Sequence, residues 1–255
     1  KPHAVSHDMM LADMDAAGVD CAIIVPPSWE GDRNDLALEA ARLYPHRFAV
    51  MGRLPLERPD SRALLAGWRR QKGMLGLRFT FHTDTQRRWL HDGTADWIWP
   101  AAERCGLPLM VFAPGSLPSL RRIAMQHPGL RLIVDHAGLD VELRGDDAFR
   151  EIDDVCALSP LPNVAIKMSG MPAYSVEAYP FRDLHGWIRQ YFDAFGPQRL
   201  LWGTDITRMT CSYRECVTLF TEALPWIATA DLAWIMGDSA CHWTGWSVPR
   251  ESRAG

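Results

Sequence analysis

The sequence lacks any apolar run approaching the roughly 18 residues that span a bilayer, so it predicts no membrane-spanning helix. It also lacks a basic block in either half, and its net charge of −4 argues against a nucleic-acid or membrane-surface partner. The first residues, Lys-Pro-His-Ala-Val-Ser-His, contain no apolar core of a signal peptide. These absences predict a cytoplasmic protein that acts on a small-molecule substrate, and they leave a homo-oligomeric state open.

The cysteines lack the spacing of a metal site. No C-x-x-C pair and no zinc-ribbon pattern occurs among the six, which are Cys21, Cys105, Cys156, Cys211, Cys216 and Cys241. Most of them lie in apolar stretches, so we interpret them as reduced thiols in the core. Linkers, repeats and low-complexity segments are also missing, and we therefore expect one domain over residues 1–255.

What the sequence does contain is a regular alternation of apolar runs and segments with helical spacing. The apolar runs predict seven strands: Cys21–Val25, Phe48–Leu54, Leu75–Phe81, Pro108–Ala113, the run that ends at His136, Asn163–Gly170 and the run that ends at Asp205. Helices are predicted at His7–Ala17, up to about Tyr44, and near Ser61–Gln71, Ala95–Cys105, Leu117–His127, Phe149–Leu158, Leu184–Phe195, Tyr213–Leu224 and Asp231–Met236. This alternation predicts a parallel sheet, and 255 residues suit a single (β/α)8 TIM-like barrel.

The strand count is one short of a closed barrel, which needs eight, because the chain opens on a helix. Seven strands leave two facing edges, where each buried unpaired backbone group costs about 1–3 kcal/mol. A protein whose total stability is about 5–15 kcal/mol carries such a gap with difficulty. We expect either that an N-terminal strand is absent from this sequence or that the barrel is open and another element covers the gap.

Two polar residues, His136 and Asp205, end apolar strands. The mouth of a parallel barrel lies at the carboxyl ends of its strands, so we expect these two side chains to meet at one site. Asp205 would be a general base that takes a proton from water, and His136 would polarise a scissile carbonyl or ligate a metal. The alternatives are a helix-capping role for Asp205 and a structural role for His136. Asp135 is expected on the opposite strand face, where it would anchor a loop.

Five further residues are candidates for substrate binding. Arg78 interrupts an apolar strand and is costly to bury unpaired; it either pairs with a carboxylate inside the barrel or receives an anionic substrate group, which we favour. Lys167 and Ser169 lie on one face of their strand. One alternative places that face in the lumen of the barrel, and the other makes Lys167 a packed residue in a salt bridge. Ser28 lies at the mouth end of the first predicted strand, and Arg208 is a rim contact or solvated. We interpret the remaining loop and helix histidines as structural: His82, His91, His185 and His242.

Eight short motifs occur in an order and spacing that is specific as a set. They are Met14–Asp20, Tyr44–Phe48, Gly76–Arg78, His127–Pro128, Val134–Gly138, Pro162–Val164, Lys167–Gly170 and Trp202–Asp205. On these motifs nearly the whole chain resembles the amidohydrolase-related metal-dependent hydrolases. The resembling branch includes lactonases that act on aromatic breakdown products and the aminocarboxymuconate-semialdehyde decarboxylases. The resemblance implies a distorted (β/α)8 barrel with its site at the carboxyl-terminal mouth.

The resemblance also implies where metal ligands would lie. The family's first strand normally carries His-x-His, and this sequence begins after that point; His3 and His7 are four apart, so we do not assign them that role. Metal-using members place a histidine at the end of the fifth strand, where this chain has Phe112 or Ala113. We therefore expect either no cofactor or one zinc-like divalent metal, held by His136 and Asp205 if it is bound, without tight binding.

Members of the lactonase-like branch lack the fifth-strand histidine and resemble enzymes that work without metal. Their arginines hold substrate carboxylates; one matches Arg78, and another follows the Lys-x-Ser-Gly step, where this chain has Met171–Tyr174. This exchange suggests a less anionic substrate than a pyrone dicarboxylate. The resemblance implies a hydrolase that cleaves a lactone, ester or amide in a small carboxylated or cyclic metabolite. A decarboxylase or hydratase on the same barrel, or a truncated non-catalytic barrel, are the alternatives.

Overall fold

Seven parallel strands form one sheet in the computed structural model, which describes residues 5–249. The strands are β1 (Ala22–Ile24), β2 (Phe48–Gly52), β3 (Met74–Thr80), β4 (Leu109–Phe112), β5 (Leu132–Val134), β6 (Val164–Ser169) and β7 (Leu200–Gly203). Each strand pairs with the next one along the chain, in the order β1 to β7. The predicted TIM-like fold with seven strands is therefore confirmed; β3 has its predicted length and is shifted by one residue, and the other strands are shorter than predicted. That all 255 residues form one domain stays a prediction.

Helices and short turns connect the strands. The α-helices are α1 (His7–Ala17), α2 (Asp35–Leu43), α3 (Ser61–Leu64), α4 (Asp84–Arg88), α5 (Ile98–Arg104), α6 (Leu117–Gln126), α7 (Ile152–Cys156), α8 (His185–Phe195), α9 (Tyr213–Thr221), α10 (Thr229–Ala233) and α11 (Ser239–Thr244). Short 3-10 segments include Ser28–Glu30, Leu65–Arg70, His136–Gly138 and Met171–Tyr174. Among residues 5–249, no helix combines the length and the apolar character needed to cross a membrane.

Local signals explain the ends of several helices. The hydroxyl of Ser6 accepts a hydrogen bond from the Met9 amide at the start of α1, and Gly18 ends this helix with a φ of 75°. Ser212 and Glu215 form a reciprocal capping box at the start of α9. These signals agree with the predicted starts at His7 and Tyr213.

The strand interiors contribute an apolar layer inside the barrel. Its buried members are Ala49, Met51, Leu75, Met110, Ile133, Ala165, Leu201 and Trp243. Strands buried on both faces read as continuous apolar runs, which is why β2 to β6 were recognisable in the sequence. The helices pack around the outer face of the sheet in a second, larger apolar cluster.

The C-terminal segment closes the amino end of the barrel, which the sequence did not reveal. We predicted the last helix at Asp231–Met236, but helical structure continues through a π turn at Trp234–Asp238 into α11. Gly237 is a poor helix former and hid this continuation. The Trp243 indole packs inside the barrel and donates a hydrogen bond of 2.9 Å to the Gln198 carbonyl before β7.

The two edge strands, β1 and β7, do not pair with each other among residues 5–249. α1 packs against α9, and the π turn and α11 pack against β7. Among residues 5–249 the sheet is therefore open between β1 and β7, these elements cover part of the edge region, and both predicted explanations of the missing eighth strand stay predictions. This covering reduces the cost of the unpaired edges.

The prediction that most cysteines lie in the core is wrong. All six are free, but Cys216 alone is buried, and Cys105 is exposed. The remaining four are half-buried, because they lie in helices or loops on the outside of the sheet rather than in its strands.

Candidate active site

His136 and Asp205 lie side by side at the carboxyl end of the sheet. Asp205 Oδ2 is 3.5 Å from His136 Nδ1, and the hydroxyl of Ser169, at the end of β6, is 2.9 Å from the same nitrogen. Only 10% of the His136 side chain and 17% of the Asp205 side chain is exposed. The predicted meeting of these two residues is confirmed; their catalytic roles stay a prediction.

The backbone at this pair is strained. His136 and Asp205 have φ values of 52° and 48°, and Ala137 has 57°. Non-glycine residues rarely adopt this left-handed region, which costs of order 1–3 kcal/mol at each position and clusters at functional sites. Gly170 faces them with a φ of 72°, and a Cβ atom there would lie 3.2 Å from the Asp205 Cβ. The turns after β5, β6 and β7 are thus shaped to bring the two side chains together.

The His136 imidazole is neutral at neutral pH. Burial lowers its pKa to about 4, although the carboxylates of Asp205 and Asp135 oppose this change. With its Nδ1 facing Ser169 and Asp205, a neutral ring has one N–H that it can donate. The Phe112 ring packs against it edge-on at 5.2 Å and excludes water from that side.

Asp205 has a second partner in Arg208, three residues further on. The guanidinium Nη1 is 3.1 Å from Asp205 Oδ2, and Nη2 donates to the Val141 carbonyl at 2.8 Å. The guanidinium also lies over the ring of Tyr174, 5.5 Å from its centre. Arg208 is therefore not simply solvated, since it orients the carboxylate of Asp205; its contact with a substrate stays a prediction.

A fully buried ion cluster lies directly beneath this pair. Asp135 has no exposed surface; its Oδ2 accepts from Arg78 Nε at 3.0 Å, and its Oδ1 is 2.8 Å from Lys167 Nζ. Burial by itself raises the pKa of Asp135, but Lys167, Arg78 and His136 together hold it at about 2. We call Asp135, Arg78 and Lys167 the buried ion cluster.

The predicted outward position of Asp135 is wrong. Ile133 points into the barrel, so Asp135 two residues later also points inward. We assigned His136 the inner face because neighbours alternate in an extended strand. The left-handed turn at His136 breaks that alternation and brings both side chains into the mouth.

The structure also shows the protein contacts of the predicted substrate-binding residues. Arg78 pairs with a carboxylate inside the barrel, the alternative we did not favour, and Lys167 is a packed, salt-bridged lumen residue. Ser169 contacts His136. Ser28 lies in the turn after β1, half-buried, and no described residue bonds its hydroxyl. Contact of any of these residues with a substrate stays a prediction.

Two residues near this site were not among the predicted catalytic and substrate-binding residues. Arg53 directly follows β2, is 6% exposed and donates to the Thr80 hydroxyl at 3.2 Å. His82 follows β3, and its ring lies 5.8 Å from that of Phe112. Each comes just after an apolar strand, the same signal that marked His136. We included Arg53 in a predicted strand and interpreted His82 as structural.

The described donors do not fit a tightly held metal. A catalytic zinc takes three protein ligands, and no group of three histidine, cysteine or acidic residues gathers anywhere in residues 5–249. Of the two histidines near the start, His3 lies outside the described residues, and His7 contacts Asp8 at 3.0 Å in α1. Phe112, the last residue of β4, occupies the strand end where the family resemblance implies a histidine ligand. His136 and Asp205 therefore supply two ligands at most.

A cavity of about 310 Å³ opens on the rim beside the site. It is lined by the segments that follow β3, β4 and β5, including Arg87 in α4, Gly115 and Asp140. His136, Asp205 and Arg78 do not line it, so this rim cavity is a separate feature of the same barrel face.

Comparison with known proteins agrees with this architecture. The family model described as amidohydrolase matches residues 1–242. The chain belongs to the amidohydrolase family. An L-fucono-1,5-lactonase from Burkholderia ambifaria is 26% identical over 243 residues, which cover 89% of this chain and 80% of that protein.

Two solved structures share the fold of this amidohydrolase. One is an amidohydrolase from Burkholderia multivorans with bound zinc, at a TM-score of 0.81 and 23% identity over 94% of this chain and 88% of that one. The other is a probable 2-pyrone-4,6-dicarboxylic acid hydrolase from Acinetobacter baumannii with citric acid bound, at 0.76 and 16% identity over 94% and 89%. Family membership identifies this chain as a hydrolase and confirms the resemblance found in its motifs.

Replacing Asp135 by asparagine should lower the free energy of unfolding by about 3–5 kcal/mol, because it leaves the Arg78 and Lys167 charges buried without their anion. Urea unfolding measures this change. Asp193→Asn is the matched control, since Asp193 forms an exposed pair with Arg189 and its loss should cost less than about 1 kcal/mol. Equal small effects of both variants would show that the cluster does not stabilise the fold.

The stability of the protein should fall as the pH falls from about 6.5 to about 4. The unfolded chain protonates His136 near pH 6.5, whereas the folded pKa is about 4, so acid favours unfolding in this window. Between pH 7 and 4.5 this residue should account for a loss of roughly 2 kcal/mol. His136→Gln should remove that part of the pH dependence, and His91→Gln should not. Parallel pH profiles of all three proteins would contradict the buried neutral imidazole.

Freshly purified protein should contain far less than one zinc per chain, because the described residues supply two ligands at most. Elemental analysis before and after dialysis against a chelator measures this content. A stable content of about one zinc per chain would contradict the prediction and point to a recruited histidine, with His82 tested first by substitution.

Proposed function

We propose that this amidohydrolase opens a small lactone at the pair formed by His136 and Asp205. The observation that carries the proposal is the contact of these two side chains on strained backbone at the carboxyl end of the sheet. Strain of this kind persists where the surrounding structure enforces it, commonly at active sites. The lactonase names of two relatives support a cyclic ester as the substrate.

Asp205 is the base in this proposal. Both described contacts of its carboxylate go to Oδ2, which leaves Oδ1 to accept a proton from water. The water oxygen bonds to the carbonyl carbon of the lactone, and its proton passes to Asp205. The ring carbon–oxygen bond then breaks, and Asp205 returns the proton to the leaving oxygen, so that the product is a hydroxy acid. No other reactant is consumed.

His136 stabilises the negative charge that develops on the carbonyl oxygen. When the Ser169 hydroxyl donates to Nδ1, the proton of the neutral ring is on Nε2, and this N–H is the donor to the oxyanion. Burial of the imidazole strengthens such a hydrogen bond because water does not compete for it. Arg208 keeps the base in place, and Arg78, Lys167, Ser169 and Ser28 are proposed to face the substrate.

Asp205→Asn keeps the shape of the side chain and removes the proton acceptor. Turnover of the best substrate should fall at least roughly 10²-fold at neutral pH, and the free energy of unfolding should change by no more than about 1–2 kcal/mol. The assay measures acid release from a panel of lactones that includes L-fucono-1,5-lactone and 2-pyrone-4,6-dicarboxylate. Glu142→Gln, which neutralises an exposed rim carboxylate, is the control and should keep the parent rate.

An unchanged rate in the Asn variant would make Asp205 a structural residue and end this mechanism. The same panel, supplemented with aromatic carboxylic acids and monitored for carbon dioxide, separates hydrolysis from decarboxylation on the same barrel. A folded protein that converts none of these compounds would favour a non-catalytic barrel.

A further inference from the structure

Arg53 is a buried cation whose charge the described residues match poorly. It is 6% exposed, and its Nη1 has no hydrogen-bond partner in residues 5–249. The acidic group nearest to it is Asp32, whose Oδ1 is 3.4 Å from Nε, too long for a strong ion pair, and whose side chain is 34% exposed. The pKa of Asp32 is raised, mainly by burial, although Arg53 opposes this change. The pair therefore leaves the Nη1 of this buried guanidinium without a partner among the described residues.

The charges around Arg53 leave an excess of positive charge inside the mouth. Arg53, Arg78 and Lys167 are all less than 10% exposed, and they face one fully buried carboxylate, that of Asp135. Asp135 is already engaged by Arg78 and Lys167. Burial, followed by the proximity of Arg78, lowers the pKa of Arg53. A buried excess of cations is unfavourable unless an anion joins it.

A second buried donor lies close to this charge. His82 Nδ1 is buried and has no partner among the described residues. Burial lowers the pKa of His82, and Arg78, Arg87 and Arg53 lower it further, which places its ring in the same positive field. Unsatisfied buried polar groups are rare in folded proteins, and two of them at one barrel mouth point to a ligand.

The backbone of Arg53 is fixed in place. The Asn34 side chain donates to the Arg53 carbonyl at 2.9 Å and accepts from the Arg53 amide at 2.7 Å. The Arg53 Nη2 is bonded to the Thr80 hydroxyl. Because the main chain of Arg53 and its Nη2 are both held by hydrogen bonds, its Nη1 is oriented before any ligand binds. Binding groups are preorganised in this way.

We infer that Arg53 binds a carboxylate of the substrate inside the barrel mouth, next to Arg78, with His82 as a second donor. The inference rests on the proposed function, because it identifies the lactone as one that carries an anionic ring substituent. A guanidinium presents parallel N–H groups that match the two oxygens of a carboxylate. The carboxylate would add a second buried anion beside the three buried cations, which now share one fully buried carboxylate.

The test compares substrates that differ only in charge. Arg53→Gln should raise the KM for a ring-carboxylated lactone about 10-fold to 100-fold and change the KM for the matching carboxamide less than about 3-fold. Arg53→Lys keeps the positive charge but lacks the parallel N–H groups of a guanidinium. Its KM for the carboxylated lactone should lie between those of the unaltered protein and Arg53→Gln. Arg131→Gln is the control, since Arg131 precedes β5 at the other end of the barrel and donates to the Gly106 carbonyl at 2.9 Å. It should not distinguish the two substrates.

Binding of ligands that are not hydrolysed tests the carboxylate site independently of the proposed lactone hydrolysis. Cyclohexanecarboxylate should bind the unaltered protein at least about 10-fold more tightly than cyclohexanecarboxamide in calorimetry, and Arg53→Gln should abolish that preference. If no lactone is hydrolysed but the preference depends on Arg53, the proposed function fails and the carboxylate site stands. If lactones are hydrolysed and Arg53→Gln affects both substrates equally, the site is refuted. Should Arg53→Gln not fold, absence of the preference in the unaltered protein refutes it.

Discussion

The structure of the mouth depends on one carboxylate that has no contact with water, that of Asp135. A carboxylate at this depth is tolerated because Arg78 from β3 and Lys167 from β6 lie 3.0 and 2.8 Å from its oxygens. This arrangement joins the interiors of three strands above the apolar layer that Trp243 closes from the other end. Immediately after Asp135 the backbone becomes left-handed at His136, and this turn sets the direction of the His136 side chain.

The chemistry of the site follows from that turn. His136 is brought beside Asp205 and Ser169 in a buried position, where the imidazole stays neutral; in the proposed mechanism its N–H is the donor to a carbonyl oxygen. Beneath this pair the cations outnumber the fully buried anion, and Arg53 retains an unpaired nitrogen. A neutral His136 and the carboxylate of Asp205 lie above buried cations. This arrangement suits a substrate whose ring ester lies at His136 and Asp205 and whose anionic substituent points inward.

The fold and the meeting of His136 with Asp205 were predictable because buried parallel strands are continuous apolar runs and both residues end one. The side-chain directions were less predictable. Side chains alternate between the two faces of a strand only where the backbone is extended. The backbone at His136 is left-handed, so our prediction of Asp135 on the opposite face from His136 failed. Arg53 was missed because it follows β2 just after a register shift between Val50 and Met51, which hides the face that it occupies. Pairing between distant strands, such as Arg78 with Asp135, has no local signal in the sequence.

The central claim is that the mouth holds an anionic ring between the buried cations and the pair of His136 and Asp205. A crystal structure with cyclohexanecarboxylate bound tests it most directly. The account predicts the carboxylate about 2.7–2.9 Å from the guanidinium nitrogens of Arg53, with the ring against Phe112 and facing His136 and Asp205. A molecule bound instead in the rim cavity beside Arg87 and Asp140, without contact to Arg53, would contradict it.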